Sequence, residues 1–405
     1  MQFRVDIYWT LALAAIALVI GRLAVERVAF LKRYSIPASV VGGMLFAIVV
    51  TLLRGTADVR IEFNSAMLTP LNVMFFTTVG LAADARSLIK GGKVLLLYFA
   101  AIVGALLLQN LLGVALARVF DLHPANGLIT GSIALSGGHG TAAAWGTKFV
   151  EERNLQGAIE LGVAAATYGL VLGGLLGGPL AAWMMRHYRI VGSGSAEAGH
   201  GTPAAPVPPA PPDEPLPVER LIESLLLIFL SMAIGFALYA AIGQGALTLP
   251  TFIWALLVGA ILRNVLSISG LYNADDRAIE TIGTISLSLF LAMIITSLKL
   301  WELVDLAGPL LVILLAQTVM LIAYVAVITF RCMGSNYDAV LLAMGHYGFA
   351  MGSTATAMVN VQAVAARHGH SHLAFLLIPV MGAFLIDLAN ALAIQGFLFL
   401  PWFTW

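Results

Sequence analysis

The sequence predicts an all-α polytopic membrane protein built from two inverted five-helix repeats, each carrying a re-entrant glycine-rich hairpin. Three observations lead there. Of 405 residues, 60% are hydrophobic and 10% charged, against about 25% charged in a soluble domain, so no water-compatible surface can be assembled. Apolar stretches of the length that crosses a hydrocarbon core of roughly 30 Å recur along the whole chain. The two halves also match in register: Pro37 and Pro250 lie 213 residues apart, and other pairs keep that spacing.

Apolar segments fall at 7–29, 37–53, 67–84, 93–119 and 157–186, then at 219–242, 249–266, 281–298, 303–330 and 373–400. Each is bounded by glycine, proline or charge, which gives ten expected spans. The first runs from Ile7 through Ile20 and on through Val25 without a small-residue cleavage site. It reads as a retained helix, not a signal peptide. Segments 124–150 and 337–366 are hydrophobic too, but crowded with glycine and small hydroxyl residues. Glycine inside a helix costs about 1 kcal/mol relative to alanine, so these read as broken, re-entrant segments. Backbone exposed at membrane depth is tolerated only where protein or water satisfies it. Residues 192–218, with eight prolines after a Gly-Ser-Gly-Ser start, read as a solvated Pro/Ala-rich linker. The expected units are therefore 1–191, the linker 192–218, and 219–405.

The repeat rests on several pairs in one register: Pro37 with Pro250, Arg86 with Lys299, Arg118 with Arg331, Thr141–Ala144 with Thr354–Ala357, and Gly169 with Gly382. Internal repeats mark many transporter folds. Five spans per half is an odd number, so the second half is inverted. With both termini outside, fourteen Lys and Arg fall on the cytoplasmic side and seven outside. The positive-inside bias thus favours periplasmic termini and a cytoplasmic linker.

Three constellations carry chemistry. The first is Ser136-Gly137-Gly138-His139-Gly140-Thr141. Its glycines allow close backbone approach to a ligand, and free N–H groups at a helix start attract carboxylates. The second, around Ser353, Thr354 and Thr356, offers hydroxyl and carbonyl oxygens, hard ligands suited to a cation such as Na⁺. The third is Asp387, deep in the last span, with Asn390 on the same helical face. An ionisable side chain at that depth is expensive and points to function. Gln109, Asn110 and Gln317 are deep as well, and helix-to-helix hydrogen bonding is their expected role. A carboxylate substrate calls for a cation, and Arg118, Lys148, Arg263 and Arg331 are the candidates by position, while each taken singly reads as an ordinary snorkelling helix-end cation. Cys332 is the sole cysteine, so no internal disulfide or CxxC site forms. No basic run interleaved with aromatics suggests nucleic acid. The residues support a carrier for a small solute coupled to Na⁺ or H⁺. A Ser136–His139 intramembrane hydrolase is the competing reading, and the duplication argues against it.

These residues sit in a sequence that resembles the bacterial sodium:glutamate symporters, the glutamate:Na⁺ symporter or ESS family. The resemblance spans nearly the whole chain. It includes Phe30 to Pro37, Leu135 to Thr141, Leu287 to Met293, Leu298 to Leu303, Asn336 to Ala339 and Gly382 to Asp387. It implies Na⁺-driven uptake of L-glutamate across the bacterial inner membrane by a homodimer, through an elevator-like mechanism. It also implies a binding role for the tips at Ser136–Thr141 and Ser353–Thr356. The expected Na⁺ ligands are Asp387, Asn390 and Thr354. Na⁺ is then the coupling ion, with no organic cofactor. Another small carboxylate in place of glutamate stays open at this stage.

Overall fold

The computed structural model describes residues 2–33, 36–192, 216–242, 249–303 and 306–403. Most of the Pro/Ala-rich linker lies outside the described residues. Apart from a short parallel pair, β1 (Gln2–Val5) with β2 (Arg60–Phe63), the described secondary structure is helical. No alternating pattern in the sequence announces so short a pair.

The first half runs through α1 (Ile7–Arg27), α2 (Ala29–Arg33), α3 (Ala38–Ala57), α4 (Leu68–Leu81), α5 (Ala85–Val119), α6 (Pro124–Leu128), α7 (Gly138–Arg153) and α8 (Ala158–His187). Asp6 caps α1 by accepting from Trp9 N–H, and Pro37 opens α3, the position where its missing N–H costs least. Gly92, at φ 54° and ψ −146°, kinks α5 ahead of its spanning part. The second half runs through α9 (Val218–Ile242), α10 (Thr251–Ser269), α11 (Asp276–Thr296), α12 (Ala307–Tyr324), α13 (Phe330–Cys332), α14 (Tyr337–Met351), α15 (Thr354–His368), α16 (His372–Val380) and α17 (Ile386–Leu398).

Eight helices are long and apolar enough to cross a membrane, among the described residues. Large apolar side chains such as Val19, Leu52, Leu96, Phe236, Ile261 and Val319 stand exposed along them. A soluble protein does not display such patches; lipid covers them here. The chain is an all-α multi-pass membrane protein. Two of the ten expected spans differ from the rest. The segment expected at 67–84 is the 14-residue α4. The one expected at 373–400 is divided into α16 and α17 by a π-helical turn at Met381–Leu385. Pro379 explains that turn, because its ring removes one helical hydrogen bond and crowds the carbonyl four residues back.

Both glycine-rich segments are broken helices. The first runs through α6 and a π-helical turn, Ile129–Ile133, where Gly131 leaves helical geometry at φ −96° and ψ −128°. It breaks again at Ser136–Gly137 and restarts as α7. The second is an antiparallel pair, α14 and α15. Gly348 packs against the backbone of Ala357, and Tyr337 at the start of α14 donates to the carbonyl of Gly369 beyond the end of α15.

The helices sort into two bundles. α1, α3, α4, α9, α10 and α11 pack chiefly on one another, while α5 to α8 and α12 to α17 form the other set. Hydrogen bonds between distant segments hold each bundle together. In the second, Tyr98 donates to Leu342 O, Tyr188 to Ala326 O and Tyr347 to Leu172 O. Between the bundles the packing is largely apolar, as where Trp145 of α7 meets Phe252 of α10 edge-on at 6.3 Å. Polar links cross as well: Lys299 N–H, just past α11, donates to Glu160 Oε1 of α8 at 2.8 Å, and Ala85 N–H at the start of α5 donates to Asn264 Oδ1 of α10 at 2.7 Å.

Candidate functional site

The two broken segments meet tip to tip. Gly138 sits at φ 67°, and a Cβ built there would lie 3.1 Å from the carbonyl oxygen of Gly352. Between the tips lies a cavity of about 300 Å³. Ser136, Gly137, Gly138, His139, Gly140 and Thr141 line it from one side, and Ser353 and Thr354 from the other. Asp387 of α17 completes the polar wall. The expected substrate residues are thus brought together, with the exception of Thr356.

Thr356 and Asn390 stand apart, and their hydrogen bonds say why. Thr356 is buried in the first turn of α15, where its N–H and hydroxyl both meet Ser353 Oγ at 3.3 Å; it serves the helix cap. Asn390 turns its amide away from the cavity and donates to Ser132 O at 3.0 Å. Thr354, by contrast, lines the cavity while donating to Gly382 O at 3.1 Å.

The chemistry of the cavity comes from helix ends. α7 begins at Gly138 with Gly137 as its N-cap and no side-chain cap, so the N–H groups of its first turn lack helical partners. α15 begins at Thr354, and Ser353 Oγ takes one N–H, that of Thr356. Two helix N-termini, each equivalent to a partial positive charge, therefore face one small space. No Lys or Arg is among the described lining residues. The four cationic candidates are employed elsewhere or exposed. Arg118 lies 5.3 Å over the Trp402 ring, Lys148 pairs with Glu152 at 3.3 Å, and Arg263 pairs with Asp276 at 2.9 Å. Arg331 is exposed at the end of α13. Each anchors a helix end, as long cationic side chains at membrane boundaries do.

Ser136 and His139 do not pair. Ser136 Oγ donates to Gln109 Oε1 at 2.6 Å, and Gln109 Nε2 donates to Ala350 O at 2.8 Å. Gln109 thereby ties both broken segments to α5. His139 Nε2 lies 3.0 Å from Thr167 Oγ1. The hydroxyl hydrogen of Thr167 goes to Val163 O, so His139 Nε2 is the donor. Nothing here activates a serine. Gln317 Nε2 donates to Gln109 O at 2.7 Å, a helix-to-helix bond of the expected kind.

The opposite wall is apolar. Pro37, Phe75, Phe76, Leu287 and Leu291 supply it, and all belong to or flank helices of the first bundle. Composition offered no signal for Phe75 and Phe76, since such residues are everywhere in a membrane chain. Pro37, Leu287 and Leu291 lie within the segments that carry the family resemblance. A second cavity of about 590 Å³ shares Pro37, Phe75, Leu287 and Leu291, and extends to Asp276 and Glu280 at the start of α11. At the other end of α11 a third, of about 570 Å³, holds Arg54, Arg60, Glu62, Glu160 and Lys299. There the Arg54 guanidinium stacks 3.8 Å over Trp301.

The family model for the sodium/glutamate symporter matches residues 3–370, most of the chain and all of both glycine-rich segments. The chain belongs to the sodium/glutamate symporter family. The sodium/glutamate symporter of Escherichia coli (strain K12) is 43% identical over the full length of both chains. That of Haemophilus influenzae is 40% identical over 96% of each. Family membership makes the chain a transporter and not an enzyme, in agreement with the separate engagements of Ser136 and His139.

Proposed function

We propose that the chain carries L-glutamate into the bacterial cell across the inner membrane, driven by the Na⁺ gradient. The observation that carries this reading is the cavity where two helix N-termini converge beside Asp387. A dicarboxylate fits that pattern: its carboxylates take the free N–H groups of α7 and α15, each helix end contributing up to about 2 kcal/mol in a partly buried setting. Asp387 then faces the ammonium group and, with Thr354, a coupling Na⁺. Neither role needs a lysine or arginine. The names of the E. coli and H. influenzae relatives support the substrate and the ion.

The transport step follows an elevator. The polar wall of the cavity belongs to the second bundle and the apolar wall to the first. A smooth wall of Pro37, Phe75 and Leu287 makes no hydrogen bond that sliding would break. The second bundle, with its two broken segments, is the moving part, and the first bundle is the frame that dimerises. Inverted repeats, 1–191 and 219–405, place the broken segments near the midplane from opposite sides. With periplasmic termini and a cytoplasmic linker, the start of α11 faces the cytoplasm. The cavity reaching Asp276 and Glu280 then makes this the inward-facing state.

Uptake of labelled L-glutamate into proteoliposomes tests the reading. An imposed inward Na⁺ gradient should drive accumulation above the external concentration, and an H⁺ gradient alone should not. Accumulation driven by H⁺ without Na⁺, or preference for a different carboxylate, would overturn it.

A further inference from the structure

Behind the cavity, away from the glutamate pocket, lies a second polar cluster. Three of its oxygens are fully buried and have no hydrogen-bond partner: Ser132 Oγ, Gln317 Oε1 and Asn390 Oδ1. Their residues are 0 to 1% exposed. Hydrogen bonds fix which end of each amide is oxygen. Asn390 Nδ2 is spent on Ser132 O and Gln317 Nε2 on Gln109 O, so flipping either amide would set oxygen against oxygen. The same contacts place the three residues around the backbone of Gly131 and Ser132. Asn390 touches Ser132 directly, and Gln317 donates to the Gln109 carbonyl, which lies 3.0 Å from a Cβ built on Gly131. At this spot Gly131 leaves the helix, and Ser132 N–H turns sideways to Asn110 Oδ1 at 3.1 Å.

A buried acceptor left unmade costs about 1–3 kcal/mol. Three around one helix break call for a ligand that supplies positive charge. Amide and hydroxyl oxygens are hard ligands, and a broken helix is where coupling cations bind in carriers. We infer that Ser132, Gln317 and Asn390 hold a second Na⁺, separate from the cavity at Asp387. A water completing the ion's shell would accept from Asn110 Nδ2, which is also unpartnered. The position accounts for coupling. Gln109, whose carbonyl holds the Gln317 amide, also takes the Ser136 hydroxyl and reaches Ala350. An ion here orders both broken segments before glutamate arrives. The inference rests on the Na⁺-coupled reading of the cavity.

Ser132→Ala is the direct test, because it deletes an atom with no protein partner. Purified protein without glutamate should melt higher in NaCl than in choline chloride. Ser132→Ala should melt like wild type in choline and lose most of the Na⁺-dependent rise. In proteoliposomes its half-saturating Na⁺ concentration should increase about tenfold, with the glutamate KM at saturating Na⁺ unchanged. Gln317→Met should shift Na⁺ dependence the same way, and its melting in choline reports separately on folding. A Ser132→Ala protein with wild-type Na⁺ stabilisation and wild-type Na⁺ dependence would overturn the inference and leave a buried water there. Na⁺-independent behaviour of wild type would instead overturn the symport reading itself.

Discussion

At the residue scale the site depends on backbone geometry more than on charged side chains. Gly138 holds φ 67° with its Cα hydrogen facing Gly352 O, and an alanine there costs roughly 1–2 kcal/mol in the left-handed region. Gly138→Ala should lower the initial rate of glutamate uptake about tenfold, while membrane expression stays near wild type. Ser136→Ala should slow uptake only a few-fold, since it loses the tie to Gln109, a single hydrogen bond worth about 1 kcal/mol. Complete loss would give the hydroxyl a role beyond positioning. Asp387→Asn should raise the Na⁺ concentration for half-maximal uptake well beyond the effect on glutamate KM; equal Na⁺ dependence in both proteins would remove Asp387 from coupling. Most of these residues were legible in the sequence, because glycine, hydroxyl and carboxyl groups stand out against an apolar background. Arg118, Lys148, Arg263 and Arg331 stand out too, as candidates by position that each read equally as a snorkelling helix-end cation. A helix-end cation and a substrate-binding cation are identical in sequence, and only their partners, Trp402, Glu152 and Asp276, tell them apart. The apolar wall was illegible: Phe75 reads like any lipid-facing or core phenylalanine.

At the scale of elements, hydrophobicity located the helices, and proline and glycine located their interruptions. What hydrophobicity does not reveal is the kind of break. The run expected at 373–400 is continuous in composition, yet Pro379 forces the π-helical turn that sets off α17 and its Asp387. Close helix contacts were equally hidden. Gly169 of α8 stands so near Met351 that a Cβ would come 2.4 Å from its carbonyl oxygen, whereas Gly55 of α3 has open space around it. Gly169→Ala should therefore push α8 off the tip of α14 and lower the melting temperature by several degrees, a cost of about 1–3 kcal/mol for overpacking. Gly55→Ala should leave melting unchanged or raise it slightly, by the helix preference of alanine. Equal melting of the two variants would contradict the close α8–α14 contact.

At the scale of the whole molecule, the proposed motion carries one helix bundle, with the site, past the other. The register of Pro37 with Pro250 leads to the expectation of a repeat, but it gives no hint of the two bundles, because each draws helices from both halves of the chain. Glu160 and Lys299 lie on opposite bundles and meet through one hydrogen bond. Cysteines at both positions, with Cys332→Ser, should trap the carrier when bridged by a short thiol reagent: uptake should fall about tenfold or more and return on reduction. Unimpaired uptake by the bridged protein would argue for a fixed arrangement of the bundles. The proposed glutamate site lies between the two glycine tips, so the most direct measurement is a cryo-EM map of the protein in nanodiscs with saturating L-glutamate and NaCl. Glutamate density should lie between Ser136–Thr141 and Ser353–Thr354, its carboxylates on the first turns of α7 and α15. Density in the cavity of Arg54, Arg60 and Lys299 instead, with the tips empty, would contradict the account.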